Sequence, residues 1–269
     1  MSYGYNVHAN GIRQHLIRYP GPGPDMLLIP GITSPAITWG FVAERLAERY
    51  DVHVLDVRGR GLSQAGELDY SLDAMADDAL AVIAAAGLKK PVILGHSMGA
   101  RTAIRAARKD SSNLGGLVLV DPPVSGPGRR EYPSKWPWYG DSIAMAIKGC
   151  SAQDMREFCP TWTDEQVALR AEWLHTCQPD AIKIAFDGFH TDDIHADLPH
   201  LALPMRLVVA GGGPVISDDD EAEIRTLAPH IETRTVEGAG HMIPWDDLEG
   251  FLAAVMDFQI DRTNLEGTL

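Results

Sequence analysis

Gly95-His96-Ser97-Met98-Gly99 is the stretch of this chain best suited to chemistry. An apolar run at residues 91–94 precedes it, and a helix-like segment at 100–108 follows. Strand, tight turn and helix, with Gly-x-Ser-x-Gly at the turn, predict a nucleophilic serine. The turn forces its central residue into a strained backbone. Side chains two positions either side would collide with the adjoining strand and helix, hence the glycines. The Ser97 hydroxyl is lifted clear of the sheet at a helix N-terminus, where developing negative charge is favoured. The plain alternative is a serine that only caps a helix.

Such a serine needs a rigid sheet beneath it. Residues 7–18 read as a hairpin turned at Asn10-Gly11. Short apolar runs at 26–29, 52–55, 91–94 and 116–120 read as strands, with helices at 41–49, 72–86 and 100–108 between them. Apolar runs without alternation imply a parallel sheet covered on both faces. Residues 56–61 form a glycine-rich loop in which Arg58 and Arg60 serve as braces. From Pro123 to about Pro199 no strand is expected. Short helices are expected there at 143–148, 152–158, 164–176 and 180–189. Trp136, Trp138, Trp162 and Trp173 all fall in this segment. It reads as an insertion over the C-terminal ends of the strands, where a lid would sit. Strands resume at 205–210 and 231–236, with a helix at 218–227 between them. A single last helix is expected at 244–257.

Composition bounds the function. With 269 residues, 45% of them hydrophobic, the chain can bury one large core. A net charge of −14 argues against nucleic acid as a partner. No apolar run reaches the length of a membrane span, and a cytoplasmic location is expected. Cys150, Cys159 and Cys177 show no metal spacing and read as packing thiols.

The ordered motifs resemble the α/β-hydrolase family over nearly the whole chain. Ile29-Pro30-Gly31-Ile32 stands where the family has its oxyanion loop. The stretch Asp56-Val57-Arg58-Gly59-Arg60-Gly61-Leu62-Ser63 is similar to a turn of the family. The serine elbow, the insertion, Leu203-Pro204-Met205 and Gly238-Ala239-Gly240-His241 follow in the family's order. The resemblance implies an α/β fold with a mostly parallel eight-stranded sheet, helices on both faces and a helical cap. Its core would comprise 1–122 and 200–269, and its cap 123–199.

It also implies a Ser97 nucleophile and a His241 base. The family usually carries its acid soon after the strand that ends here at Ala210-Gly211, but Gly211 to Ile216 offers no carboxylate. Asp121, directly after the preceding sheet strand, is where a minority of the family has it. A turn-starting role is the plain reading of that residue. Asp218, Asp219 and Asp220 read instead as the first turn of a helix. The backbone N–H groups of Ile32 and Met98 would form the oxyanion hole. This arrangement is similar to that of deformylases in the family. It implies a hydrolase without metal or other cofactor, acting at the C–N bond of a small, anionic acyl amide or formamide. A carboxylesterase or C–C hydrolase is the nearest alternative, and a ligand-binding receptor on the same fold is a different one. Arg129 and Arg130 are candidates for a substrate carboxylate, against a solvated basic pair. Trp136 and Trp162 are candidates for the pocket wall, against a role in the cap's own core.

Overall fold

The computed structural model describes residues 1–259. In chain order it contains β1 (Tyr3–Ala9), β2 (Ile12–Tyr19), β3 (Asp25–Ile29), α1 (Gly40–Leu46), β4 (Asp51–Leu55), α2 (Leu72–Ala85), β5 (Val92–His96), α3 (Met98–Lys109) and β6 (Gly116–Val120). The segment between sheet strands holds α4 (Trp136–Lys148), α5 (Ala152–Met155), α6 (Asp164–Trp173) and α7 (Pro179–Thr191). The chain continues through β7 (Met205–Ala210), α8 (Asp218–Leu227), β8 (Glu232–Val236), α9 (Ile243–Asp246) and α10 (Leu248–Val255).

All eight strands join one sheet in the order β1-β2-β4-β3-β5-β6-β7-β8. β1 pairs antiparallel with β2, and β2 antiparallel with β4; every later pairing is parallel. The central strands are covered on both faces. Every residue of β5 and β6 is buried, which is why residues 92–94 and 116–120 are apolar runs. Along β3, Leu27 and Ile29 enter the core under α2 and α3, while Met26 and Leu28 enter the core under α1 and α10. β8 lies at the sheet edge and is mostly exposed, matching its polar Glu232-Thr233-Arg234-Thr235 sequence.

Between β6 and β7 the described residues are helical or irregular. Arg101 on α3 fastens this cap to the core. Its buried guanidinium donates to the carbonyls of Pro123, Ser125, Gly188 and Asp192 at 2.6–3.1 Å. Burial pushes its pKa down to about 10. No helix among the described residues is long and apolar enough to cross a membrane.

Two departures from the sequence expectation have a clear local cause. The first cap helix starts at Trp136 rather than 143, because Pro137 stands in its first turn, where no intrahelical donor is needed. The last helix is broken in two. Asp247 leaves helical geometry (φ −148°, ψ 88°), and its carboxylate accepts the Gly250 N–H at 2.9 Å to start α10 afresh.

Candidate active site

Ser97 occupies the step from β5 into α3 with φ 54° and ψ −117°, outside the regions that non-glycine residues ordinarily adopt. The strain persists because its surroundings are rigid. A Cβ on Gly99 would lie 2.0 Å from the Ile29 carbonyl oxygen, and one on Gly95 2.3 Å from the Gly99 carbonyl oxygen. Strand, turn and helix therefore pack closer than any side chain permits. In the register of β5 and β6, His96 sits opposite Val120, and the Ser97 N–H donates to the Val120 carbonyl at 2.8 Å. That register brings Ser97 beside Asp121, the next residue on the neighbouring strand.

Asp121 is fully buried and also has positive φ, at 45°, a conformation that aspartate tolerates better than most residues. Its Oδ2 accepts from His241 Nδ1 at 2.6 Å, and its Oδ1 accepts the Ala210 N–H at 3.3 Å. With the Nδ1 proton engaged, Nε2 is left to accept the Ser97 hydroxyl, 3.0 Å away. His241 lies in the loop between β8 and α9. His96 holds that loop from below, its Nε2–H donating to the His241 carbonyl at 2.9 Å. Burial, together with the nearby His241, drives the His96 pKa down to about 3, so this imidazole is neutral.

Of the candidate oxyanion donors, Met98 directly follows Ser97 and Ile32 borders the cavity. Met98 opens α3, so its N–H has no intrahelical acceptor. Ile32 lies in the loop after β3 and lines the same cavity as Ser97 and His241. Arg60 fixes this loop, donating to the Ile32 carbonyl at 3.1 Å and to Arg58 and Ala181 carbonyls beyond it. Arg58 braces the glycine-rich turn through a two-pronged pair with Asp78 at 2.5 and 2.6 Å.

The cavity has a volume of about 320 Å³ and lies between the strand ends and the cap. Trp162 lines it, stacked on Trp245 with ring centroids 5.1 Å apart. Trp136 does not; it packs on Phe186 and under Lys183 within the cap. Arg129 and Arg130 do not reach the cavity either. Arg129 pairs with Glu223 at 2.5 and 2.7 Å, and Arg130 pairs with Asp220 at 2.5 Å. The acidic first turn of α8, favoured there by the helix dipole, supplies Asp220, and the next turn supplies Glu223. These pairs tie the start of the cap to α8.

Tyr132, Tyr139 and Arg170 are wall residues that the sequence expectation did not assign to the site. Tyr132 places its hydroxyl 3.4 Å from His241 Nε2 and 3.2 Å from the Tyr139 hydroxyl. Burial raises its pKa well above the usual phenol range, so it stays protonated. Arg170 on α6 lines the cavity between Trp138 and Trp162. One signal for Arg170 was available: with Val167 and Leu174 it occupies spacings of three and four, an apolar stripe interrupted by a charge. Tyr132, in an irregular segment, has no such mark.

Comparison with known proteins agrees with this architecture. The model of the Alpha/beta hydrolase family matches residues 26–254. An N-formylmaleamate deformylase from Pseudomonas putida is 63% identical over 95% of this chain and 96% of its own length. A crystal structure of an N-formylmaleamic acid deformylase, also from Pseudomonas putida, superposes with a TM-score of 0.92 at 68% identity, covering 94% of this chain and 100% of that one. An E-2-(acetamidomethylene)succinate hydrolase structure, at 22% identity and TM-score 0.79, covers 96% and 99% of the two chains and shares the fold. A serine elbow after β5, a histidine in the loop after β8 and a helical segment inserted between β6 and β7 thus sit on a matching frame, and the chain belongs to the alpha/beta hydrolase family.

Proposed function

We propose that this protein is a serine-dependent deformylase that hydrolyses the formyl C–N bond of N-formylmaleamate, releasing formate and maleamate. The observation that carries the reading is the continuous hydrogen-bonded relay from Ser97 through His241 to Asp121, at 3.0 and 2.6 Å, opening onto one cavity. The similarity to the two deformylases supports the choice of substrate.

Ser97 Oγ attacks the formyl carbon as its proton passes to His241 Nε2. The carbonyl oxygen gains negative charge and is met by the N–H groups of Ile32 and Met98, each worth roughly 3 kcal/mol in the transition state. Asp121 holds the imidazole in the Nδ1–H tautomer and stabilises the imidazolium. The C–N bond then breaks, His241 gives its proton to the departing nitrogen, and the formyl group remains as an ester on Ser97. Water, deprotonated by His241, attacks that ester; formate leaves and the proton returns to Ser97. Every group in this sequence belongs to the chain, the substrate or water. A cytoplasmic setting suits the three free thiols of Cys150, Cys159 and Cys177.

The test is formate release from N-formylmaleamate by purified protein, with intact-mass analysis of rapidly quenched samples. Steady turnover with a transient one-formyl mass gain, absent in Ser97→Ala, is the expected result. Turnover of p-nitrophenyl esters without formate release would move the protein to the esterases.

A further inference from the structure

Arg170 is a cation that the fold has withdrawn from water without supplying a counter-charge. The residue is 3% exposed. Among the described residues it hydrogen-bonds to one partner: both terminal nitrogens reach Thr33, at its carbonyl and its hydroxyl, each at 3.3 Å. Its buried Nε has no partner among the described residues. The other buried guanidiniums are satisfied differently. Arg58 has the Asp78 carboxylate, and Arg206 has Glu232 and Asp257. Arg101 is saturated by four carbonyls and Arg60 by three. Of these five, only Arg170 lines the cavity that holds Ser97.

An unpaired buried charge is costly unless something completes it. The surroundings of Arg170 suit an anionic ligand. Trp138 and Trp162 lie 5.3 and 5.6 Å from its guanidinium carbon, which restricts the plane of the fork before any ligand arrives. Thr33 accepts from Arg170 and so keeps its own hydroxyl hydrogen to donate. A planar fork with a neighbouring hydroxyl matches a carboxylate. In a chain of net charge −14, an anion needs such a local receptor.

We propose that Arg170, with Thr33, binds the carboxylate of the substrate and makes the cavity selective for short monoanionic acyl amides. This rests on the deformylase reading and names the group that recognises the end of the molecule remote from the reacting carbon. Thr33 directly follows Ile32, the candidate oxyanion donor. A carboxylate seated on Arg170 and Thr33 therefore also steadies the loop that presents the Ile32 N–H to the developing oxyanion. Binding energy from the remote carboxylate is then expressed in kcat as well as KM.

The experiment measures formate release by wild type, Arg170→Gln and Arg170→Lys. The substrates are N-formylmaleamate and its uncharged analogue, in which a carboxamide replaces the carboxylate. Tryptophan fluorescence titration with maleate runs in parallel, without turnover. Arg170→Gln should raise KM for the anion roughly 10- to 100-fold, as for loss of a charged hydrogen bond, and lower kcat too. On the carboxamide the loss should be at least about tenfold smaller than on the anion. Maleate should bind wild type and lose affinity by a similar factor in Arg170→Gln, with Arg170→Lys in between. Should Arg170→Gln fail to fold, Arg170→Lys and Thr33→Val carry the same anion-to-carboxamide comparison. Equal losses on both substrates, or undiminished maleate binding in the variants, overturn the proposal and leave Arg170 as a structural tie. If wild type releases no formate, the deformylase reading falls while the maleate titration still judges Arg170. If wild type turns over but maleate affinity ignores Arg170, the carboxylate site falls and the deformylase reading stands.

Discussion

Asp121 reaches His241 from the end of β6, its Oδ2 2.6 Å from the imidazole Nδ1, while the end of β7 contributes only the Ala210 N–H to the other carboxylate oxygen. The glycines that follow β7 let the histidine loop approach closely. A Cβ on Gly212 would come within 3.0 Å of the Gly238 carbonyl oxygen, and one on Gly213 within 3.3 Å of the His241 nitrogen. The histidine loop is laid directly over the turn that follows β7. An acid arriving from β6 approaches the imidazole without crossing that contact.

Replacing Asp121 by Asn should preserve the fold and lower kcat on the order of 10⁴-fold, because the amide favours the wrong imidazole tautomer. Asp218→Asn and Asp219→Asn alter exposed positions in the first turn of α8 and should change kcat by less than about twofold. Steady-state formate release with circular dichroism as the fold control checks both. A dead Asp218→Asn or Asp219→Asn beside an active Asp121→Asn would reverse the assignment of the acid.

Ser97→Ala and His241→Ala should be about equally damaging, and the double variant scarcely worse than either, because relay members act as a unit. Rate losses that multiply in the double variant would place one of the two outside the relay.

Gly99→Ala should destabilise the protein by on the order of 3 kcal/mol or more, since the new methyl meets the Ile29 backbone oxygen rather than a side chain that can swing away. Urea denaturation followed by tryptophan fluorescence measures this. An unchanged midpoint would mean that the elbow is not close-packed on β3.

His96 gives a pH prediction. Burial depresses its pKa from the ordinary 6.5 to about 3 in the folded protein. The unfolded chain binds the proton more readily, so the stabilising contribution is complete above pH 6.5. It is lost as pH falls from there towards 3, at about 1.4 kcal/mol per pH unit. His53 and His195, also lowered by burial, add slopes of the same sign. Unfolding free energies at several pH values between 4.5 and 7.5 should therefore show a shallower acid slope for His96→Asn than for wild type. Identical slopes would show that His96 is not buried neutral.

Arg129→Ala and Arg130→Ala should leave KM for the anionic substrate within about twofold of wild type. Each should cost less than about 1 kcal/mol of stability, because these partly exposed pairs join the cap to α8 outside the cavity. A tenfold rise in KM for the anion alone would return them to the substrate site.

The sheet, the elbow and the chain order of the relay were legible in the sequence because they depend on local chemistry. Buried parallel strands must be apolar runs, as at Gly116–Val120, and a strained serine between close-packed elements must be flanked by Gly95 and Gly99. Even Asp121, which the structure hydrogen-bonds to His241, could be singled out as the candidate acid from the missing carboxylate at Gly211 to Ile216. What the sequence left undetermined is which cap side chains face the serine. Arg129 and Arg130 stand near Asp121 along the chain, yet α8 supplies carboxylates that draw them away, and Trp136 turns into the cap's own core. Arg170, 73 residues beyond the elbow in sequence, is the cation that reaches the cavity, because α6 folds back over the loop at Thr33. Strand positions and glycine spacing are set by local propensity and by sterics at each residue. The lining of the cavity is set by how four cap helices pack on one another, and only the tertiary structure decides that.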